Sequence, residues 1–293
     1  MLETRHDQAA GLRRLGTLGP VKVIAVTGGK GGVGKTNVCA NLGTALCQMG
    51  RQVMVLDADL GLANMDVLLG LRANLTLEHV LAGQCSLGDA IITAGSGLKL
   101  VPASSGNAAM ANLDAMGHAA LVQAFSDLMQ PLDVLLIDTA AGLSDSVITF
   151  SQAAQRVVVV VCDEPASLTD AYGLIKVLSR RHPGSRFEII TNMTRSLTEG
   201  RDLFDKLARV AMRFLDVSLH HLGNVPQDEY LRRAVQHQIP VVEAYPSSAA
   251  GRAFKKLAVA ADNWKTRDGA TGNLEFFVER LVGAPSRQED TLQ

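Results

Sequence analysis

The feature that most narrows what this chain can fold into is an apolar strand that runs straight into a glycine-rich loop and then a helix. Val21–Thr27 reads as the strand. It passes into Gly28-Gly29-Lys30-Gly31-Gly32-Val33-Gly34-Lys35-Thr36, which contains G-x-x-x-x-G-K-T from Gly29 to Thr36. Glycines allow successive backbone N–H groups to turn inward around a phosphate. A helix starting near Gly34 points the positive end of its dipole at the same anion. Lys35 is then set to reach the β- and γ-phosphates, and the Thr36 hydroxyl to ligate Mg²⁺. Gly31, Gly32, Val33 and Asn37 complete the phosphate-binding segment. A glycine loop that merely turned a strand into a helix would not need Lys-Thr after its last glycine. The expected ligand is a nucleotide with Mg²⁺.

The rest of the chain repeats the strand-to-helix alternation. Strands are expected at Val21–Thr27, Gln52–Asp57, Leu98–Val101, Val134–Asp138, Val157–Cys162, Phe187–Thr191 and His221–Val225. Helices are expected at Gly34–Met49, Ala115–Met129, Ser167–Arg181 and Leu197–Phe214. Continuously apolar runs such as VVVVVC at 157–162 suit strands covered on both faces. Such alternation predicts an α/β fold with a doubly wound, mostly parallel sheet, whose ligands bind at the carboxyl ends of the strands. Residues 20–264 read as one domain. Before it lies a polar arm, 1–19; after it come a short linker at 265–272, a helix at 273–282 and a tail.

Three further segments sit where such a site needs them. VLDADLGLANMD (55–66) ends a strand with Asp57 and places Asp59 just beyond it. DVLLIDTAAG (133–142) is an apolar strand ending in Asp138, the pattern of a magnesium-contacting aspartate, with Gly142 following. EIITNM (188–193) ends a strand at Asn192, and LGNVPQDEYLRRA (222–234) leads into a helix. Lys30 adds a second lysine to the loop, and the pattern K-G-G-x-G-K-[ST] resembles the deviant Walker A motif of the MinD/ParA group of ATPases. The resemblance covers about residues 20–260. It implies that Lys30 reaches across a nucleotide-sandwich dimer to the partner's phosphates. It also implies that Asp59 orients the attacking water, that Asp57 supports the magnesium shell and that Asp138 contacts Mg²⁺. Asn192 would read adenine, and Pro226, Gln227 and Asp228 would flank base and ribose. Helix capping by Asp59 or Asn64 is the alternative use of the 55–66 segment.

Longer stretches narrow the resemblance. DADLGLANMDVLLG, DTAAGLSDSV and VVVCDEPASLTDAYGLIK look like the MinD-type regulators of flagellar number and placement, the FlhG/FleN branch. Ala166 departs from that branch's D-E-P-[ST]-S-[IL]-T-D-A-Y pattern. In the arm, Asp7, Gln8, Leu12 and Arg13 match a D-Q-A-x-x-L-R segment that stimulates an SRP-type flagellar GTPase, the FlhF-like partner. The C-terminal segment places Leu274, Phe277, Val278 and Leu281 on one helical face. The branch uses such a helix to reach an anionic membrane surface; the alternative is a helix packed on the body, and Glu275 and Glu279 favour it. The resemblance further implies a homodimer with ATP and a monomer otherwise. Its partners would be a FleQ-like transcription regulator and basal-body C-ring proteins.

Charge and cysteines bear on the rivals. A net charge of −1, from 28 basic and 29 acidic residues, supplies no global field for DNA, and solvated helix faces account for most of the basic excess over 176–213. Direct DNA binding, as in a ParA-type partition ATPase, is therefore not expected. A septum-placing MinD and a non-enzymatic nucleotide-gated scaffold also compete with the flagellar reading; a scaffold would not need Asp59. The four cysteines form no C-x-x-C pair, which argues against a zinc site or a bridging iron–sulfur cluster. No signal-peptide or membrane-spanning run is evident, so the expected location is the cytoplasm with reversible membrane association.

Overall fold

The computed structural model describes residues 21–60, 63–104, 115–128, 131–181 and 185–264. Among them, eight strands form one sheet. They are β1 (Lys22–Gly28), β2 (Val53–Ala58), β3 (Ile92–Thr93), β4 (Lys99–Val101), β5 (Val134–Ala141), β6 (Arg156–Val161), β7 (Ser185–Thr194) and β8 (Val217–Pro226). Their order is β3-β4-β2-β5-β1-β6-β7-β8. All neighbours run parallel except β3 and β4. The expected doubly wound, mostly parallel sheet is the fold observed.

Helices cover both faces. They are α1 (Lys35–Gln48), α2 (Met65–Leu68), α3 (Leu77–Leu81), α4 (Leu87–Ala90), α5 (Ala115–Ser126), α6 (Asp145–Ala153), α7 (Pro165–Arg181), α8 (Leu197–Phe214), α9 (Glu229–Gln236), α10 (Val241–Ala244) and α11 (Ala249–Asp262). Alternate residues of a strand point to opposite faces, and β1 shows the consequence. Ile24 and Val26 join one core with Val38, Leu42 and Leu46 of α1 and Phe254 of α11. Val23 and Ala25 join another with Leu121 and Phe125 of α5. A third cluster packs Leu174, Ile175 and Leu178 of α7 and Leu203 and Leu207 of α8 on Val159, Val161 and Ile189. The central strands are thus apolar on both sides because both sides are covered.

Some elements differ from expectation. β8 begins at Val217 rather than His221, β5 runs past Asp138 to Ala141, and the two-residue β3 and the helices α2, α3, α4, α6, α10 and α11 are additions to the elements named from the sequence. α6 is rich in serine and β-branched residues, which are indifferent helix formers. Its helix is fixed by burial of Val147, Phe150 and Ala153.

The amino end of the sheet is clamped at the close of α11. Asp262 accepts a bidentate pair from Arg51, at 2.9 Å each, and lies 3.7 Å from the Lys22 ammonium. The Arg156 guanidinium stands 5.5 Å over the Trp264 ring.

Candidate functional site

At the opposite, carboxyl end of the sheet, β1 opens into the glycine loop. Gly32 and Gly34 have φ of 80° and 92°, a region costly for any residue with a Cβ. Gly29 needs its bare backbone for another reason: a Cβ there would sit 2.2 Å from the carbonyl carbon of Asp170, because α7 runs directly against the loop. Nothing crowds Gly31 or Gly32, so the concave side stays open. α1 starts at Gly34 without a side-chain cap. Its first N–H groups are therefore left to face an anion.

Lys35 is buried at 8% exposure directly after the loop. Burial pulls its pKa down, while the negative charges of Asp138 and Asp59 oppose that shift. Asp57, next to last in β2, and Asp138, in the second half of β5, are direct partners in the parallel register. Both are 1% exposed. The Asp57 carboxylate accepts N–H bonds from Asp59 and Met65, each at 3.2 Å. It therefore also holds the first turn of α2. Burial pushes its pKa up to about 7, against the pull of those bonds. Asp138 is raised well above the carboxylate range, by burial and then by Asp57; the Thr36 hydroxyl bond and Lys35 oppose this.

One oxygen of Asp138 is buried and has no hydrogen-bond partner. An acceptor in that condition is costly unless something completes it. A divalent cation with the Thr36 hydroxyl beside it would do so, and Mg²⁺ suits one or two carboxylates, a hydroxyl, waters and phosphate oxygens. Thr36 and Asp138 therefore fit the metal expected of them; both Asp57 oxygens already accept N–H bonds, so Asp57 fits only as support for that shell. Among the described residues no group of three or more His, Cys, Asp or Glu side chains is placed to hold a metal ion. A cation here would share its shell with phosphate and water. Cys39, Cys47, Cys85 and Cys162 are all free thiols.

Asp59 is half-buried, and its charge acts on Lys35, Asp57 and Asp138. Neither Asp59 nor Asn64 makes a side-chain cap on α2; Asp57 bonds to Met65 instead. Asn192 is 2% exposed at the end of β7. Its Nδ2 donates to the Val33 carbonyl at 2.8 Å, so it braces the loop, and its Oδ1 is buried without a partner. Gly142, with φ of 93°, donates its N–H to the Gly28 carbonyl at 3.2 Å, which ties the segment after β5 to the loop.

Other expected residues sit at the rim. Lys30 is on the open lip and forms an ion pair with Glu164 of its own chain; in the sequence Glu164 stands out only as one letter of a longer pattern. Asn37 is half-buried in the first turn of α1. Pro226 is half-buried, and Gln227 is exposed with its N–H on the Thr194 carbonyl at 2.8 Å. The two Asp228 oxygens accept from the N–H groups of Tyr230 and Ala250, both at 2.8 Å. That carboxylate ties α9 to α11. Asp7, Gln8, Leu12 and Arg13, and Leu274, Phe277, Val278 and Leu281, lie outside the described residues.

What this corner of the sheet is built to bind is the phosphate end of a nucleotide, and the class so defined is the P-loop NTPases. A family model for ParA, described as the NUBPL iron-transfer P-loop NTPase, matches residues 20–261. The antiactivator FleN of Pseudomonas aeruginosa is 55% identical over 275 residues, 94% of this chain and 98% of that protein. The flagellum site-determining protein YlxH of Helicobacter pylori is 34% identical, over 82% of this chain and 81% of its own length. Among solved structures, the septum site-determining protein MinD of Pyrococcus horikoshii, complexed with Mg-ADP, superposes with a TM-score of 0.66. It has 29% identity and covers 83% of this chain and 96% of its own. The chain belongs to the ParA/MinD family of P-loop ATPases.

Proposed function

We propose that this chain is an ATP-driven switch, monomeric without ATP and dimeric with it, that sets the number and placement of flagella. The likeness to FleN and to YlxH supports the flagellar role. The observation that carries the switch is the position of Lys30. It stands on the open lip of the cradle, partly exposed and paired with Glu164, while Lys35 alone lies behind the loop. A lysine so placed is free to exchange Glu164 for the phosphates of a second copy docked face to face.

Hydrolysis follows from the residues already placed. The loop N–H groups and Lys35 hold the triphosphate and offset charge that develops on the γ-phosphoryl group. Asp59, at the mouth, orients a water for in-line attack. Mg²⁺, held by Thr36 and Asp138 with Asp57 supporting the shell, would neutralise the β- and γ-phosphate oxygens. Asn192 faces the base, and Pro226 and Gln227 border it. A scaffold that only bound nucleotide would gain nothing from Asp59.

The partners consistent with this reading are an FlhF-like SRP-type GTPase met by Asp7, Gln8, Leu12 and Arg13, a FleQ-like transcription regulator, and basal-body C-ring proteins. An anionic membrane would be met by the apolar face of 273–282. No helix among the described residues is long and apolar enough to cross a membrane; attachment by that apolar face would be strengthened by two copies on one dimer. Sedimentation with ATP and with ADP, paired with liposome pelleting, tests the switch. The parent should dimerise and pellet with ATP only. Lys30→Ala should bind nucleotide yet stay monomeric. Phe277→Glu should dimerise and stay off the liposomes. A parent with the same mass in both nucleotides would overturn the reading.

A further inference from the structure

We propose that Asn224 is a positioning residue that fixes Asn192 as an acceptor toward the base and so gives the site its preference for a 6-amino purine. The inference rests on the ATP reading above and concerns how the chain achieves it.

β7 and β8 shift register twice: first between Ile189 and Ile190, then after Asn192 opposite Val225, so that Thr194 lies opposite Pro226. The extra residue, Met193, takes a left-handed φ of 59°. A bulge of this kind re-aims its neighbours, and a residue with a Cβ does not hold such a φ without help from its surroundings. The help comes from one side chain. Thr191 and Thr194 flank the bulge, both fully buried; Thr194 donates its hydroxyl to Asn224 Oδ1, and the Thr191 hydroxyl lies 3.1 Å from the same oxygen, with His221 Nε2 at 3.0 Å and the Gly223 carbonyl at 3.4 Å also in its reach. A single oxygen on β8 therefore ties the two sides of the bulge together. α8 closes behind it: a Cβ on Gly200 would lie 2.4 Å from that same oxygen.

The bulge decides what Asn192 can offer. One N–H of its amide goes to the Val33 carbonyl, which also settles which end of the amide is nitrogen. Its Oδ1 is buried with no partner. A buried acceptor is completed by a donor and repelled by another acceptor. The exocyclic amine of adenine is such a donor; the 6-oxo group of hypoxanthine or guanine is not. If the bulge slackens, Asn192 loses its fixed aim, and the distinction between amino and oxo goes with it.

The test is a fluorescence titration of the full chain, with Mg²⁺, against N-methylanthraniloyl ATP and its inosine counterpart, which differ at the 6-position. The parent should hold the ATP probe about 10-fold tighter, the scale of one hydrogen bond and one avoided repulsion. Asn224→Ala should weaken ATP to the level of inosine triphosphate and leave the inosine affinity as it was. Gly200→Ala perturbs the same oxygen from the helix side, where alanine favours the helix, so it decides the matter if Asn224→Ala does not fold. Thr194→Ser keeps the hydroxyl and should keep the preference. Variants that retain the parental ratio, or that lose both probes equally, overturn the role of Asn224. A parent that binds both probes alike overturns the base reading beneath it instead.

Discussion

Asp57 makes the unliganded protein less stable as pH rises through the neutral range. Its carboxyl is buried and moves from an ordinary value of 3.8 to about 7. Between those values the folded protein holds a proton that the unfolded chain has released. The unfolded state therefore binds fewer protons, and unfolding free energy falls as pH rises, levelling off above about 7. One proton sets a limit of about 1.4 kcal/mol per pH unit, or about 4 kcal/mol across the whole window. Between pH 5 and pH 8 the loss from Asp57 should be about 2–3 kcal/mol. Asp138 is raised as well, and its contribution has the same sign. The assay is urea unfolding at half-unit steps from pH 5 to pH 8, without nucleotide or Mg²⁺. Asp57→Asn cannot titrate, so its slope should be shallower by up to about 1.4 kcal/mol per unit. Its absolute stability is a poor guide, because the amide would turn a donor toward an N–H of Asp59 or Met65. Parallel curves for parent and Asp57→Asn across pH 5–7 would refute the reasoning.

Three other substitutions separate the parts of the site. Lys35→Ala removes the buried cation facing the phosphates; a fluorescent ATP analogue should show at least about a 100-fold loss of affinity, the scale of a charged contact. Asp59→Ala should bind ATP as the parent does and fail to hydrolyse it, so that sedimentation finds the ATP-bound dimer persisting. Gly29→Ala drives a methyl into the Asp170 backbone and should cost about 1–3 kcal/mol in urea unfolding, with loss of nucleotide binding as the loop shifts.

What can be read from the residues depends on how local the physics is. The glycine loop, Lys35 and Thr36 are legible because a cradle of backbone N–H groups needs those residue types at fixed spacing, whatever surrounds them. Asp57 and Asp138 are legible as carboxylates that close apolar runs, although β5 itself continues to Ala141. That they sit opposite one another in register is a property of the sheet alone. Glu164 is 134 residues from Lys30, and no pattern in the sequence joins them. Asp228 reads as a residue beside the base; its two backbone bonds show that it knits α9 to α11. The first half of β8 is not legible because an edge strand alternates exposed and half-buried positions, and His220 and His221 break an apolar run. Asn224 carries no signal at all, since its meaning comes from two threonines on the next strand and a glycine on a helix.

The clamp at the amino end of the sheet makes a built-in optical probe. Trp264 is the chain's one tryptophan, and its ring lies under the Arg156 guanidinium, two residues after Asp262. β1 runs from Lys22, which also meets Asp262, to Gly28 at the loop. At about 3.3 Å per residue, roughly 20 Å separates the indole from the phosphates. At that distance ATP makes no direct contact with the indole, so its emission should change only if strain is relayed along α11. A shift in tryptophan fluorescence on adding ATP would therefore measure motion transmitted through the body of the protein, with no label attached.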